Sequence, residues 1–281
     1  MIHSLIKCPI CGASVSADES GHSLRCAGEK KSHCFDIAAG GYVNLISGRA
    51  AGGDSREAVR ARTAFLEGDY YAPIADAVSE ILRELGGIDE HATIVDAGCG
   101  EGYYLNRILN MLGCRGLGFD LSKFAVDHGA KSARRQGLVS RSFYAVSSVF
   151  ELPLADGSAD AVINLFAPCA EQEYRRVLRD GGILVVVGAG EDHLYELKQA
   201  LYDEVYRNDT RADLPVDLPL IAQRMVEFTV ELTKHEDIES LFSMTPYYYR
   251  TSAEGFARLQ ALQTLSTRAQ VEIYVYRKPL C

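Results

Sequence analysis

The sequence lacks a hydrophobic run long enough to cross a bilayer, a secretory signal and an excess of basic residues. A membrane-spanning helix needs about 18 or more successive apolar residues, and the 281-residue chain has no such run. Its first residues, Met-Ile-His-Ser-Leu-Ile-Lys, are short and lead directly into Cys8, unlike a signal peptide. We therefore expect a soluble, cytoplasmic protein that does not act at a membrane.

The net charge of −9 argues against a surface coated with non-specific nucleic-acid contacts. The charge is distributed unevenly, because the chain up to Phe65 has eight Lys and Arg against six Asp and Glu. A mildly basic N-terminal part followed by an acidic remainder is compatible with one local phosphate-binding face. Ordinary solvated surface charge explains the same distribution equally well.

The eight cysteines are not expected to form disulfides, because the chain lacks a secretory signal. Cys99, Cys114 and Cys169 fall in or near predicted core elements, where a free thiol acts as a small apolar side chain. The remaining informative cysteines lie near the front of the chain.

The front of the chain has the spacing of a zinc site. Cys8-Pro-Ile-Cys11 is a CxxC knuckle, and Cys26 and the adjacent pair His33-Cys34 follow it. Cys26 with either His33 or Cys34 would complete a closed tetrahedral site. A redox dithiol or inert cysteines would not explain how about 35 residues with few large apolar groups fold. We predict a zinc-binding domain in residues 1–46, and the family resemblance given below implies that this domain recognises RNA.

A glycine-rich turn between a predicted strand and a predicted helix organises the rest of the chain. The strand contains Ile94-Val95 and ends at Asp96, and Gly98, Gly100 and Gly102 follow. Glycines let a ligand approach the backbone and the N–H groups of the helix. A carboxylate at the strand end repels phosphate and suits an ammonium or sulfonium group. The turn therefore favours S-adenosylmethionine over a dinucleotide, which is bound by Gly-x-Gly-x-x-Gly.

Further polar residues extend this predicted cofactor site. Glu101 adds negative charge to the turn, and Asp120 ends the next strand, where an acid accepts the ribose hydroxyls. Asp120 alone is also typical of a helix N-cap. The interpretation therefore depends on the glycine turn and Asp120 occurring together, in this order and about twenty residues apart. We include Leu121 in the site, and we place Ser147 and Ser148 at the adenine edge because they end the third strand.

Strands and helices alternate after Asp120 as in a doubly wound sheet. Two alternating segments near the end of the chain suit a closing antiparallel pair. The pattern predicts a Rossmann-like α/β fold with a seven-stranded, mostly parallel sheet in residues 71–281.

Residues 47–70 are predicted to be a linker and a helix. The stretch 47–55 carries Arg49 and is either a plain connector or a segment that orders on a polyanion. The helix begins near Asp54 and ends near Gly68, with its arginines, Arg62 included, on the outer face.

The loop after the fourth predicted strand is expected to face the acceptor of the reaction. Asn164 interrupts the apolar strand, and it either lines the cofactor site or satisfies polar groups in the core. Glu171, or a backbone carbonyl of Ala167-Pro168, is the candidate acceptor of hydrogen bonds from the substrate, and Glu171 is the candidate catalytic group that takes a proton from it. His193 begins a long predicted helix that ends near Tyr206. It lies at the ligand-binding edge of the sheet, where it either contacts a ligand or caps the helix.

A set of short motifs runs along essentially the whole chain. It comprises Cys8-Pro-Ile-Cys11 with Cys26 and His33-Cys-Phe-Asp36, Gly41-Tyr-Val-Asn-Leu45, Gly53-Asp-Ser55, Asp96-Ala-Gly-Cys-Gly-Glu-Gly-Tyr-Tyr104, Ala167-Pro-Cys169, His193-Leu-Tyr-Glu-Leu197 and Met244-Thr-Pro246. Together these motifs resemble the bacterial 23S rRNA guanine-N1 methyltransferases of the RlmA type.

The resemblance implies a class I methyltransferase fold, S-adenosylmethionine as methyl donor, structural zinc and 23S rRNA as partner. It implies zinc binding by Cys8, Cys11, Cys26 and His33, and cofactor binding by Tyr71, Gly100, Glu101 and His193. The expected reaction is methylation of a guanine N1 in an rRNA hairpin loop. The resemblance also implies a homodimer and, for some members, resistance to macrolides such as tylosin.

Two other functions fit parts of the pattern. One is methylation of a small molecule, but a metabolite needs no basic, cysteine-rich appendage. The other is a cofactor-binding zinc protein without turnover, which the three acids Asp96, Glu101 and Asp120 disfavour.

Overall fold

The residues that the structure describes form a small three-stranded sheet near the N-terminus and a large eight-stranded sheet. The computed structural model describes residues 2–28, 31–46, 52–210, 214–215 and 217–280. The predicted linker positions 47–51, with Arg49, lie outside the described residues. None of the helices described in these ranges is long and apolar enough to cross a membrane.

The helices and strands alternate through the middle of the chain. The helices are α1 (Arg56–Glu67), α2 (Ala72–Glu84), α3 (Tyr103–Leu112), α4 (Lys123–Arg135), α5 (Glu171–Val177), α6 (Tyr195–Leu201), α7 (His235–Ser243) and α8 (Ala253–Ala261), with 3-10 turns at Ile2–Leu5 and Pro246–Tyr249. The strands are β1 (Val15–Ala17), β2 (Ser23–Cys26), β3 (Cys34–Asp36), β4 (Val43–Asn44), β5 (Thr93–Ala97), β6 (Arg115–Asp120), β7 (Ser142–Val146), β8 (Ala159–Leu165), β9 (Leu178–Ala189), β10 (Leu220–Leu232) and β11 (Leu265–Arg277).

The large sheet has the order β10-β11-β9-β8-β5-β6-β7-β4. Strands β4 to β9 of this sheet run parallel to their neighbours, and β10 and β11 form an antiparallel pair against β9. This confirms the predicted α/β fold. The strand order reverses between β5 and β8, and in such sheets the crevice at the carboxyl ends of these two strands binds the ligand.

The sheet has eight strands rather than the predicted seven, because Val43–Asn44 of the N-terminal segment pairs with the β7 edge. A two-residue strand has too few positions for a burial alternation to be recognised in sequence. Through this pairing, Val43–Asn44 join the N-terminal segment to the large sheet.

The N-terminal segment also covers one face of the large sheet. Alternate residues of each central strand face opposite sides, so that Ile94 packs with one buried cluster and Val95 with the other. The Val95 cluster includes Ile6, Val15 and Leu24 of the N-terminal segment. These residues occupy a face that a helix covers in many sheets of this kind, so the N-terminal segment and the sheet share one core.

The structure differs from the predicted elements at three places. The predicted helix from His193 to Tyr206 is shorter, since α6 is Tyr195–Leu201 and His193 lies in the turn before it. Helices α5 and α8 were not predicted; α5 has seven residues and α8 has nine, and apolar runs this short do not distinguish a helix from other structure by periodicity.

Candidate functional site

Four N-terminal side chains converge as the zinc spacing requires. One ligand atom from each of Cys8, Cys11, Cys26 and His33 lies within 4.8 Å of the others. The Cys11 and Cys26 sulfurs are 3.7 Å apart, and the distance between two thiolates on a tetrahedral zinc ion is about 3.7 Å when Zn–S is about 2.3 Å. The donor set and its dimensions therefore fit zinc.

The structure also distinguishes the two candidates for the fourth ligand. The Nδ1 of His33 lies 3.4 Å from the Cys26 sulfur and 3.6 Å from the Cys8 sulfur. Cys34 is exposed on β3 and pairs with Arg25 in the small sheet, apart from the cluster. The site therefore consists of three thiolates and one imidazole.

Backbone geometry supports the metal site in ways the cysteine spacing did not indicate. The N–H of His33 donates to the Cys26 sulfur at 3.0 Å, and this bond contributes most to lowering the pKa of Cys26 to about 6. A Cβ at Gly28 would lie 3.3 Å from the Cys11 sulfur and 2.6 Å from the Lys31 carbonyl oxygen. Only glycine fits there without displacing the loop.

The glycine turn brings β5 and the loop after β8 into contact. Gly98 has φ of 90°, and a Cβ added there would lie 2.4 Å from the Cβ of Ala167. Gly102 has φ of 74°, and an added Cβ would lie 2.5 Å from the Tyr144 hydroxyl oxygen. The turn closes only with glycine at these positions, so the sequence pattern is explained by packing as well as by room for a ligand.

Asp96 carries a buried carboxylate whose Oδ2 has no hydrogen-bond partner among the described residues. The side chain is 2% exposed. Burial, and then the charges of Asp120 and Glu101, raise the pKa of Asp96 to about 8. A buried acceptor without a partner is costly, and a bound cation removes that cost. The position therefore fits the ammonium or sulfonium group of S-adenosylmethionine.

Asp120 at the end of β6 connects the glycine turn to α4. Its Oδ2 accepts from the Gly100 N–H at 3.1 Å, and its Oδ1 accepts from the Ser122 N–H at 2.7 Å. Carboxylate oxygens have further lone pairs that ribose hydroxyls can use. The Asp120 carbonyl also accepts from the Ser147 N–H at 3.1 Å, so the ends of β6 and β7 lie side by side.

The neighbouring predicted contacts are Leu121, Ser147 and Ser148. Gly53 packs against the backbone at Leu121, where an added Cβ would come within 3.0 Å. The Ser147 hydroxyl donates to the Glu151 carbonyl at 3.4 Å, and the Ser148 hydroxyl accepts from the Phe150 N–H at 3.2 Å. The two serines thus order the loop beside Asp120.

Arg62 is the site residue that sequence reasoning misplaced. We predicted it on the outer face of its helix, but its guanidinium lies over the glycine turn and ion-pairs with both Glu101 and Asp54. The Nε donates to the two Glu101 oxygens at 2.7 and 3.0 Å. Glu101 is 4% exposed, and burial raises its pKa while Arg62 opposes that rise.

Tyr71 and His193 form a buried pair although they are 122 positions apart. The Tyr71 hydroxyl lies 3.3 Å from Nε2 of His193, and the Gln270 N–H donates to Nδ1 at 3.3 Å. Since a backbone N–H can only donate, Nε2 carries the ring proton and donates to Tyr71. Burial lowers the pKa of His193 to about 4, so the ring is neutral. The Tyr71 O–H is then available to donate to a ligand.

Asn164 and Glu171 have contacts that differ from their predicted roles. The Asn164 amide donates to the Tyr174 hydroxyl at 2.9 Å and to the Pro168 carbonyl at 3.0 Å, so of the two roles predicted for Asn164 the structure supports the core one. The Glu171 carboxylate accepts from the N–H groups of residues Asp217 and Leu218 at 2.7 and 3.1 Å. Its observed contacts hold that segment, and they do not support a catalytic base.

Comparison with known proteins places this geometry in a family. Residues 94–182 match the family model described as "Methyltransferase domain", and residues 6–48 match the model described as "RlmA, N-terminal". The chain is 33% identical over 260 residues to the 23S rRNA (guanine(748)-N(1))-methyltransferase of Streptomyces fradiae, covering 90% of this chain and 89% of the relative.

Two further relatives extend over nearly the full chain. A putative 23S rRNA (guanine-N(1)-)-methyltransferase of Micromonospora griseorubida is 33% identical over 296 residues, with 97% of each chain covered. The Bacillus subtilis protein of the same description is 28% identical over 284 residues, with 98% of each chain covered. The chain therefore belongs to the family of 23S rRNA (guanine-N1)-methyltransferases.

Proposed function

We propose that the enzyme transfers a methyl group from S-adenosylmethionine to N1 of a guanine in a hairpin loop of 23S rRNA. The observation that carries the proposal is the buried carboxylate of Asp96 at the crevice between β5 and β8, whose Oδ2 has no hydrogen-bond partner in the part of the chain that the structure describes. A site for a nucleotide phosphate would not place a carboxylate there, whereas a cationic donor needs one. The family relationship identifies guanine N1 of 23S rRNA as the acceptor.

S-adenosylmethionine supplies a methyl group that is already activated, so the protein mainly positions the reactants and excludes water. We assign Asp96 to the cationic methionine moiety and Asp120 to the ribose. The neutral His193 holds the Tyr71 hydroxyl so that its proton points to the cofactor side. Gly98, Gly100 and Gly102 give the donor access to the backbone.

The acceptor guanine must lose its N1 proton as the N1–carbon bond forms. A base in a hairpin loop can be splayed out so that its Watson–Crick edge enters the crevice. The groups that we predicted for this edge already have partners. The Pro168 carbonyl accepts hydrogen bonds from Asn164 and Tyr174, and the Glu171 carboxylate accepts from the N–H groups of Asp217 and Leu218. We therefore assign the proton to solvent water, and we assign Glu171 no part in the transfer.

Two segments are the proposed RNA contacts: the zinc-binding N-terminal residues up to position 46, called the zinc module, and the tyrosine-rich turn Pro246–Tyr249. Zinc holds the module together and takes no chemical part. Tyr248 and Tyr249 of the turn at Pro246–Tyr249 are exposed, and exposed aromatic side chains can stack on unpaired bases. The cytoplasmic location, the homodimer and the link to macrolide resistance remain predictions.

Mass mapping of rRNA tests the proposal directly. Purified enzyme is incubated with unmodified 23S rRNA and tritiated S-adenosylmethionine, and the fragments are compared with those treated with the Asp96→Asn variant. We expect one added methyl group on one guanine, together with a reverse-transcriptase stop because N1 lies on the pairing edge. A panel of metabolites is incubated in parallel with the same donor. Label that appears only in a metabolite would favour a small-molecule methyltransferase. Donor binding without transfer to either would favour a non-catalytic module.

A further inference from the structure

Phe166 follows β8 directly and has an unusual conformation. Its φ is +55°, in the left-handed region that bulky residues rarely adopt. Its N–H donates to the Val187 carbonyl of β9 at 3.0 Å, which holds the backbone in this conformation. Despite the strain, 46% of the side chain is exposed. The strain therefore does not serve to bury the ring, and strained residues that persist in a fold cluster at functional sites.

The surroundings of Phe166 place its ring beside the reaction centre. The ring stacks against His193, with centroids 6.1 Å apart and planes 29° apart. The next residue, Ala167, packs against Gly98 of the cofactor turn. His193 is itself fixed by its bonds to Tyr71 and Gln270. Phe166 thus presents an aromatic surface with rigid support at the carboxyl end of β8.

We propose that Phe166 is the surface on which the target guanine stacks during methyl transfer. The inference rests on the proposed function, because it concerns the acceptor of that same reaction. A splayed-out base loses its stacking neighbours in the RNA, and an exposed aromatic ring replaces them. The methyl acceptor must approach the donor at the crevice between β5 and β8, and Phe166 is at the end of β8. Its ligand class is a purine base of single-stranded RNA.

Steady-state methylation of a 23S rRNA hairpin transcript by Phe166→Ala tests the inference. Loss of one base–aromatic stack is expected to lower kcat/KM by about 5- to 150-fold. The affinity for S-adenosylmethionine, measured by calorimetry, should remain that of the wild type. Phe166→Trp should retain most of the activity because it preserves the stack. Val139→Ala is the matched control. Val139 is an exposed apolar residue that precedes β7, so it lies at the amino ends of the parallel strands, whereas Phe166 lies at their carboxyl ends.

A fluorescence measurement separates stacking from a purely structural role. With 2-aminopurine at the mapped target position, the complex with Phe166→Ala should be brighter than the wild-type complex, because an unstacked 2-aminopurine is not quenched. Phe166→Gly, which relieves the positive φ, provides a second variant without the ring if the alanine variant folds poorly.

Three results would overturn the inference: unchanged kcat/KM in Phe166→Ala, an equal loss of cofactor affinity, or a tryptophan variant as slow as the alanine variant. If the wild type binds the donor but methylates no rRNA, the proposed function has failed and the inference fails with it.

Discussion

The raised pKa of Asp96 predicts that cofactor affinity depends on pH. Without a ligand, burial and the neighbouring acids raise the pKa of Asp96 to about 8. The carboxyl is therefore mostly protonated at neutral pH, and a cationic donor requires its ionised form. Binding should release a proton whenever the pH is below 8.

The magnitude follows from the cost of ionising the carboxyl. At pH 6, about two pH units below this pKa, ionisation costs roughly 2.7 kcal/mol, since one unit corresponds to 1.36 kcal/mol. The dissociation constant of S-adenosylmethionine should therefore fall about 50-fold from pH 6 to pH 8, and it should level off at about 100-fold below its pH 6 value once the pH exceeds about 9. The stability of the ligand-free chain changes in the opposite direction. Because the folded pKa of Asp96 is above the unfolded one, the ligand-free chain loses stability as pH rises from about 4 to about 8, and the bound cation removes that loss.

Isothermal titration calorimetry at constant ionic strength measures this slope, and buffers of different ionisation enthalpy report the released proton. Asp96→Asn should bind weakly at every pH and show no slope. Asp89→Asn is the matched control, because Asp89 is an exposed carboxylate that precedes the first residue of β5, whereas Asp96 lies near the last. A wild-type affinity that is independent of pH between 6 and 8, or a slope that persists in Asp96→Asn, would refute the assignment of the cation to Asp96.

Three further predictions follow from the described contacts. Arg62→Gln leaves Glu101 buried without its cation and should lower the free energy of unfolding by about 3–5 kcal/mol. The loss should be larger at pH 8 than at pH 5, because the pKa of Glu101, already raised, rises further in the variant. Thermal unfolding measures the loss, and Arg60→Gln at an exposed position is the control. Removing zinc with a chelator should lower the melting temperature of the whole chain in one calorimetric transition, and two separate transitions would contradict the shared core. Glu171→Gln should leave the pH profile of single-turnover methylation unchanged, and an altered profile would restore Glu171 as the base.

Features that depend on neighbouring residues were predictable from the sequence. The glycine turn and Asp96 lie within a few positions of one another, so strand, turn and helix signals reinforce each other. The CxxC knuckle is equally local, and Cys26 follows at a familiar distance. In each case, the chemistry of the site is set by a short segment that adopts one backbone geometry.

Features that depend on distant partners were not predictable. Arg62 follows the helical periodicity of a solvent-facing residue, and only the fold shows that Glu101, 39 positions later, lies beneath it. Asn164 interrupts an apolar strand, and both of its predicted roles require a polar side chain there. The strain at Phe166 gives no sequence signal, because a positive φ at a non-glycine residue is imposed by the surrounding fold.

The pairing of Val43–Asn44 with β7, and the packing of Ile6 and Leu24 on the sheet, connect metal supply to the lifetime of the enzyme. A newly made chain that has not yet acquired zinc would leave an apolar face open and a strand edge without its neighbour, both of which invite proteolysis and aggregation. Excising the N-terminal residues should therefore yield an insoluble remnant rather than a smaller catalyst. In a cell starved of zinc, the methylation level of the ribosome would fall because fewer enzyme molecules survive, even if each survivor works at full speed.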